Sequence, residues 1–455
     1  MKRIAIAGVG FSGAAAAYAL LRRHTAPFEL LLIEPEPVPG AGLAYGRARP
    51  GDLLNVAADR LSIDADAPGD FASWLAGQGD RPYLEALARA PEAAYFAPRR
   101  QFARYSGGRL NEALAVRPDV VARRIPRPLT AVEARRAGGY RLTLADTEIA
   151  DCAVLIVATG YGMPAEVGRY GRTAFAPPRG LNPVALGNVI IIGSGLSMVD
   201  TLLDLRARGF DKPALVISRH GLLPRAHAAE RRRWRSDEPL IPPVGARQGL
   251  RLVRRLCREA AVESADWRAV IDRFRPQTQD IWAGWNEAEQ RRFLRHIRPY
   301  WDVFRHRLPP SSAAAIQAEL AAGTLCIRAG RVLDMAVGER SPASGARHRT
   351  LAVAWRGQTR VEALEADLVV DCTGHFPSLR AAPVAALLAA GLAEVDVHGW
   401  GLRVARDGAV LSGDRERDDL YAVGPLGLGS WFELIAVPEI IVQAAEMAGR
   451  LAGRA

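Results

Sequence analysis

The chain has almost no lysine. Only Lys2 and Lys212 occur, so arginine carries nearly all of a formal net charge of +11. An Ala- and Arg-rich chain with this bias reads as the product of a GC-rich coding sequence, and the basic balance alone does not call for nucleic acid. The densest cluster, Ala229 to Arg235, suits a solvated face or a cofactor-phosphate patch. Cysteine is also scarce. Cys152, Cys257, Cys326 and Cys372 stand far apart, which excludes a CxxC redox pair and zinc-ligand spacing. A disulfide framework is not expected, and a reducing cytoplasm fits. Apolar runs are short: none approaches the ~18 residues of a spanning helix. Ile4 to Val9 is too short for a signal peptide and flows into a glycine turn. His296 and His306 have no ligand-like partners in sequence, so no metal is expected.

What is present is a large globular composition. With 455 residues and 49% hydrophobic content, two to three domains are expected. The opening stretch IAIAGVGFSG puts a short apolar strand before Gly8, Gly10 and Gly13. The first glycine permits the tight turn, the second lets backbone approach a pyrophosphate, and the third allows close packing of helix on strand. Phe11 and Ser12 are candidate cofactor contacts, and Ala14 to Leu21 is a strong helix former whose N-terminal amides would face the phosphates. A second strand, FELLLIE, ends at Glu34, where a carboxylate can accept from a ribose.

The device recurs in IIIGSGLSMVD, residues 190 to 200. Gly193 and Gly195 are kept, Leu196 and Ser197 are candidate cofactor contacts, Met198 replaces the third glycine, and a helix is expected over Met198–Arg208. Glu34 lies 26 residues after Gly8, and Arg219 lies 26 residues after Gly193. An acid at that position repels a 2′-phosphate, whereas an arginine accepts it. Ser218 is a second candidate contact. NADPH is therefore expected at the second turn, while an N-terminal turn with Glu at the second strand's end resembles FAD-dependent oxidoreductases of the two-dinucleotide-fold kind, which implies FAD at the first. Each unit closes on a strand ending in Thr-Gly: Ala158, Thr159 and Gly160 in the first, Gly374 in the second.

The expected fold class is α/β, with two Rossmann-like dinucleotide-binding domains and a helical insertion. The FAD domain is expected over 1–180 and 370–455, the NADPH domain over 186–369, and the insertion over 245–320. The Gly- and Pro-rich stretch 163–183 reads as the linker. After Gly374 the chain is expected to return to the first domain, and resemblance to two-dinucleotide-fold flavoproteins implies that the strand end at Gly424–Pro425 lies near the flavin ribityl chain. Trp431 and Phe432 are candidates to cover the ring, or plain core aromatics. Asn55 is the catalytic candidate, because a carboxamide can both donate and accept beside a reacting flavin; a turn-closing Asn is the alternative. Arg298, Trp301, Arg305 and Arg307 fall at helical spacings, either for an anionic group or as a solvated basic face.

The sequence resembles a bacterial family of FAD/NAD(P)-binding oxidoreductases, flavoproteins with two dinucleotide-binding domains. The residues that carry the resemblance are GVGFSG (8–13), the block 39–75, SRHGLLPRAH (218–227) and RPYWDVFRHRLPP (298–310). More distantly, VATGY (157–161) resembles a motif of N-hydroxylating and Baeyer–Villiger-type class B flavin monooxygenases; Asp151 and Pro164 match its flanks loosely. Many two-dinucleotide-fold flavoproteins carry Asp after the Gly corresponding to Gly424; Pro425 can offer neither an N–H nor a side-chain acceptor.

The resemblance and the two turns imply hydride transfer from NADPH to FAD. With no cysteine pair, disulfide reduction is disfavoured. Oxygen is then the favoured acceptor, giving a monooxygenase on a small molecule, with N-hydroxylation as one form. The alternative is a reductase passing electrons to a soluble acceptor. A third reading is a flavin-binding sensor or nucleic-acid-modifying factor without turnover. Expected partners are a small-molecule substrate and oxygen, without nucleic acid or membrane. The oligomeric state stays open, a homodimer being one option.

Overall fold

The computed structural model describes the chain except residues 91–92, 146–148, 163–169, 171–172, 174–179, 229–233, 236–239, 241, 375, 414 and 454–455. Most of the linker 163–183, Pro164 and most of the cluster 229–235 therefore lie outside the described residues. Trp234 and Arg235 are described: the Trp234 side chain is buried, and Arg235 pairs with Glu259 and Glu263.

The first sheet is built from β1 (Lys2–Ala7), β2 (Phe28–Ile33), β3 (Val121–Ile125), β7 (Val154–Val157), β14 (Ala409–Ser412) and β15 (Arg415–Ala422). Their order is β14-β15-β7-β1-β2-β3, parallel except for β14 against β15. The parallel core follows from short strands that are apolar throughout: all four residues of β7 are buried, as are Ile4 to Ala7 of β1. Strand β15 sits beside β7, with Leu420 opposite Leu155. The chain thus re-enters this sheet after the second one is complete. Strands β4 (Leu129–Ala134), β5 (Tyr140–Leu144) and β6 (Ile149–Cys152) form a separate antiparallel sheet.

The second sheet holds β8 (Val189–Ile192), β9 (Ala214–Ser218), β10 (Leu325–Arg340), β11 (Arg347–Trp355), β12 (Val361–Ala366) and β13 (Leu368–Asp371). The order is β12-β11-β10-β9-β8-β13. Strand β13 pairs with β8 as β7 pairs with β1, so the internal repeat is a repeat of register as well as of sequence. Strand β13 also spans the division expected at 369/370 and stays with the second sheet.

Both glycine turns lead directly into helices. The first runs Phe11–Arg23 and the second Leu196–Ala207, each starting two or three residues before the expected apolar run. The reason is local: Gly10 and Gly195 are extended N-caps, so the helix begins at the next residue. In the first helix Ala14 to Ala17 are all buried. They share one core with Ala444, Met447 and Ala448 of the C-terminal helix Val437–Ala452.

Between β9 and β10 the chain makes helices Ala246–Val262, Trp267–Phe274, Thr278–Ala283, Glu287–His296, Arg298–Arg305 and Pro310–Ala321. The last differs from the rest: Ile316 is buried with Val199, Leu202 and Val216 of the second domain, so this helix is the crossover that covers the second sheet. The earlier helices build their own core around Val270, Phe274, Trp282 and Phe293, which also takes in Phe432 from the first domain.

Candidate active site

Each Gly turn is shaped by backbone crowding. Gly8 has φ +88°, and a Cβ there would lie 2.6 Å from the Ala158 carbonyl oxygen. A Cβ on Gly13 would meet the Gly8 carbonyl oxygen at 1.9 Å. Only hydrogen fits at either position, so the turn, helix and strand end are locked together. The second turn repeats this: Gly193 has φ +101°, with its Cβ position 2.3 Å from the Cys372 carbonyl oxygen. No side chain caps either helix, so both N-termini keep their positive ends for an anion.

Glu34 is buried at the end of β2. Its Oε2 accepts from the Val9 amide at 2.7 Å and its Oε1 from the Glu36 amide at 3.0 Å. The carboxylate is thereby oriented, with lone pairs remaining for ribose hydroxyls. Thr159 closes β7 beside Gly8, and its Oγ1 is buried without a hydrogen-bond partner among the described residues. A buried hydroxyl left orphaned beside a turn that admits only glycine, under an uncapped helix, fits a bound dinucleotide.

At the second turn the Ser218 hydroxyl accepts from the Gly221 amide at 3.1 Å and lies 2.9 Å from Ser194 Oγ, so it braces the loop. Arg219, exposed at the end of β9, is the side chain of this pair that reaches solvent. Nothing lies within 4 Å of a Cβ built on Gly195, leaving the approach to the helix open. Gly374 also has a left-handed φ, +91°, with open space around it.

The sequence blocks far apart in the chain meet here. Gly42, in the block 39–75, approaches Gly10: a Cβ on Gly10 would lie 3.2 Å from Gly42 Cα. The Asn55 carbonyl and the His227 Nε2 lie 2.9 Å apart. The His227 amide donates to Leu308 O, and the Leu308 amide donates to Arg225 O. Two ion pairs cross from the first domain to the helix Leu196–Ala207: Arg99 with Asp200 at 2.7 Å and Arg49 with Asp204 at 3.5 Å. Burial raises the Asp200 carboxyl to about 6, against the pull of Arg99.

The first domain's C-terminal segment closes the site from the other side. Gly424 has φ +81°, and a Cβ on it would meet Ser12 Oγ at 2.3 Å. Its amide donates to Gln443 Oε1 at 2.9 Å, so that N–H is spent within the protein. Pro425 is buried at the start of a short 3-10 turn. Asn55 is half-buried at the seam, and its carboxamide makes no hydrogen bond among the described residues.

Several expectations change. The Trp431 indole donates to Val404 O at 3.1 Å and packs on the first domain's core, so its N–H is committed there. Phe432 turns the other way and stacks on Trp282, with ring centroids 5.1 Å apart. Two neighbouring aromatics serve two different cores, which period alone could not separate. Arg305 and Arg307 are not on a solvated face. Both are buried: Arg305 lies 2.7 Å from Glu433 Oε2, and Arg307 pairs with Asp272. Arg298 lies over the Trp400 ring at 4.7 Å. Asp151, a flank of the VATGY motif, is held by Arg141 and Arg135 in the small antiparallel sheet.

The charged cluster at the seam was not legible as a site. Trp301 Nε1 donates to Glu433 Oε1 at 2.6 Å, and Glu433 sits at φ +66°. A left-handed Glu is strained backbone, held here by buried contacts on both sides. Burial alone would raise the Glu433 carboxyl, but Arg305 above all holds it below the ordinary range. Burial drives the His306 imidazole down to about 4 and Asp302 up to about 6. The only sequence signal was Glu433 and Glu439 inside the otherwise apolar run LIAVPEII and its approach.

Residues 5–162 match a family profile described as FAD-NAD(P)-binding. No curated protein matches the chain. Among solved structures, an ornithine hydroxylase from Pseudomonas aeruginosa is similar at TM-score 0.62 and 16% identity, covering 99% of this chain and 98% of that one. An ornithine N-hydroxylase from Kutzneria sp. 744 gives TM-score 0.64 at 14% identity, over 100% and 99% of the two chains. An L-lysine 6-monooxygenase from Pseudomonas syringae gives 0.61 at 16% identity, over 100% and 98%. At these identities the likeness is one of fold, and it runs the length of the chain. Glycine turns, paired sheets and full-length likeness together make this a flavoprotein fold with two dinucleotide-binding domains.

Proposed function

We propose that the chain is an FAD-dependent oxidoreductase that takes its electrons from NADPH and uses oxygen to oxygenate a small molecule. The observation that carries this reading is the asymmetry of two matched turns: a buried Glu34 ends the second strand of one, and an exposed Arg219 the second strand of the other. With β13 and the crossover helix Pro310–Ala321 kept in the second domain, the FAD domain comprises 1–180 and 372–455, the NADPH domain 186–371, and the helical insertion 245–309.

The backbone at Gly8, Gly10, Phe11, Ser12 and Gly13 receives the FAD pyrophosphate, and Glu34 its adenosine ribose. Ala158, Thr159, Gly160 and the Gly424–Pro425 turn bound the same cofactor. Gly193, Gly195, Leu196, Ser197 and Gly374 form the NADPH cradle, with Arg219 on its 2′-phosphate. Bound FAD supplies hydride acceptance and reaction with oxygen. The chain supplies orientation, and the Asn55 carboxamide is the free donor and acceptor at the seam.

The cysteines support oxygen rather than a dithiol as the acceptor. All four are free, and burial raises the Cys152 and Cys372 thiols to about 12. Free thiols also suit a cytoplasmic protein. The solved structures that share the fold are described as ornithine and lysine hydroxylating enzymes, and N-hydroxylation is the finer form of the proposal.

The test is turnover with NADPH under 18O2 and a panel of amines and thioethers. Product gaining one labelled oxygen per NADPH supports the proposal. NADPH oxidation that instead reduces an added electron acceptor, with no labelled product from any compound, identifies a reductase.

A further inference from the structure

The helices of the insertion line a half-open cavity of about 690 Å³. That lies within the range of small-molecule pockets, about 300–1,000 Å³. Its walls include Trp267, Trp282, Trp285, Trp301, Phe293 and, from the first domain, Phe432.

The polar ends of these walls point away. Trp282 Nε1 donates to Gly429 O at 3.2 Å, Trp285 Nε1 to Pro243 O at 2.6 Å and Trp301 Nε1 to Glu433 Oε1 at 2.6 Å. The Thr278 hydroxyl donates to Phe274 O at 3.2 Å. The indoles therefore offer ring carbon to the cavity. A space of this size with so few polar partners holds water poorly and leaves its lining short of contacts.

Among the described residues no Asp or Glu lines the cavity; the ionisable lining groups there are Arg254, His296, Cys257 and Tyr300. An ammonium group there would lose its hydration without a carboxylate in exchange. Phe432 lies in the segment that follows Gly424, and Trp301 donates to Glu433 of the same segment.

The geometry points to this cavity as the binding site for the body of an aromatic or long-chain apolar molecule that carries no cationic group inside it. That the occupant is the substrate rests on the oxygenase reading above; that the cavity binds apolar molecules does not.

The test uses the purified holoprotein without NADPH and the neutral apolar dye N-phenyl-1-naphthylamine, followed by its fluorescence. Gly249→Leu and Val253→Phe fill the cavity from the helix Ala246–Val262. A Cβ on Gly249 meets its nearest neighbour, Pro243 Cγ, at 3.4 Å, so the first variant fits. Saturable binding to wild type, weakened at least tenfold in both variants with flavin absorbance and melting temperature retained, is expected. L-Ornithine at millimolar concentration should not displace the dye. No saturable binding, equal affinity in both variants, or displacement by ornithine overturns the inference. A second arm measures label incorporation from 18O2 during NADPH turnover with methyl phenyl sulfide and a panel of other neutral apolar compounds. Dye binding that behaves as expected, with no labelled product from any apolar compound, retains the pocket and rejects the oxygenase reading.

Discussion

Replacing Arg219 by alanine should separate the two nicotinamide nucleotides. Arg219 directly follows β9 and is exposed, while its neighbour Ser218 is committed to the loop through the Gly221 amide and Ser194. Of this pair, the Arg219 guanidinium is the group left for the 2′-phosphate in the proposed site. A hydrogen bond to a charged group contributes about 1.5–3 kcal/mol, and an exposed one sits at the lower end. A loss of ~1.5 kcal/mol is roughly tenfold in affinity. Initial rates of NADPH and NADH oxidation, measured as functions of nucleotide concentration, should then give about a tenfold higher KM for NADPH and less than a twofold change for NADH. Raising ionic strength should shrink the wild-type preference, because an exposed ion pair is screened. Equal rises for both nucleotides, or an NADPH KM within twofold of wild type, would refute the assignment of Arg219 to the 2′-phosphate.

Three further outcomes are expected. Gly10→Val should give colourless protein, because even a Cβ already lies 3.2 Å from Gly42 Cα and its methyls enter the pyrophosphate's path; a yellow variant with normal FAD content would defeat the site. Thr159→Val tests the orphaned hydroxyl in two opposite directions: loss of FAD retention at unchanged melting temperature if it serves the cofactor, and a gain of about 1–3 kcal/mol in stability if it serves nothing. Asp200→Asn should alter the pH dependence of stability. The folded carboxyl at about 6 exceeds its unfolded value of 3.8, so the native state holds more protons between them and stability falls as pH rises through that window. Chemical denaturation at pH 4 and pH 7 should find the variant gaining on wild type by up to about 3 kcal/mol, and a pH-independent difference would exclude Asp200 as the source.

Much of this protein was legible in the order of its residues. The constraints there are local: a strand apolar on both faces, a turn that only glycine fits, and a helix that starts once the turn ends. Gly13 is crowded within its own turn by the Gly8 carbonyl, while Gly8 and Gly193 are crowded as well by Ala158 and Cys372 from strand ends distant in sequence. The contrast of Glu34 with Arg219 was readable because both sit at the same offset in a repeated unit.

What the tertiary structure decided is which distant segments meet. Nothing local tells Trp431 from Phe432, yet one seals the first domain and the other roofs a cavity in the insertion. Arginines at helical spacing read equally as a solvated face or as a binding face; Arg305 proved buried only because Glu433, over a hundred residues away, faces it. The cavity's apolar character likewise comes from carbonyls and one carboxylate on separate elements, which draw the indole N–H groups outward. Nearest-neighbour physics is written along the chain, whereas burial and charge pairing are settled by the packing of segments that the sequence holds apart.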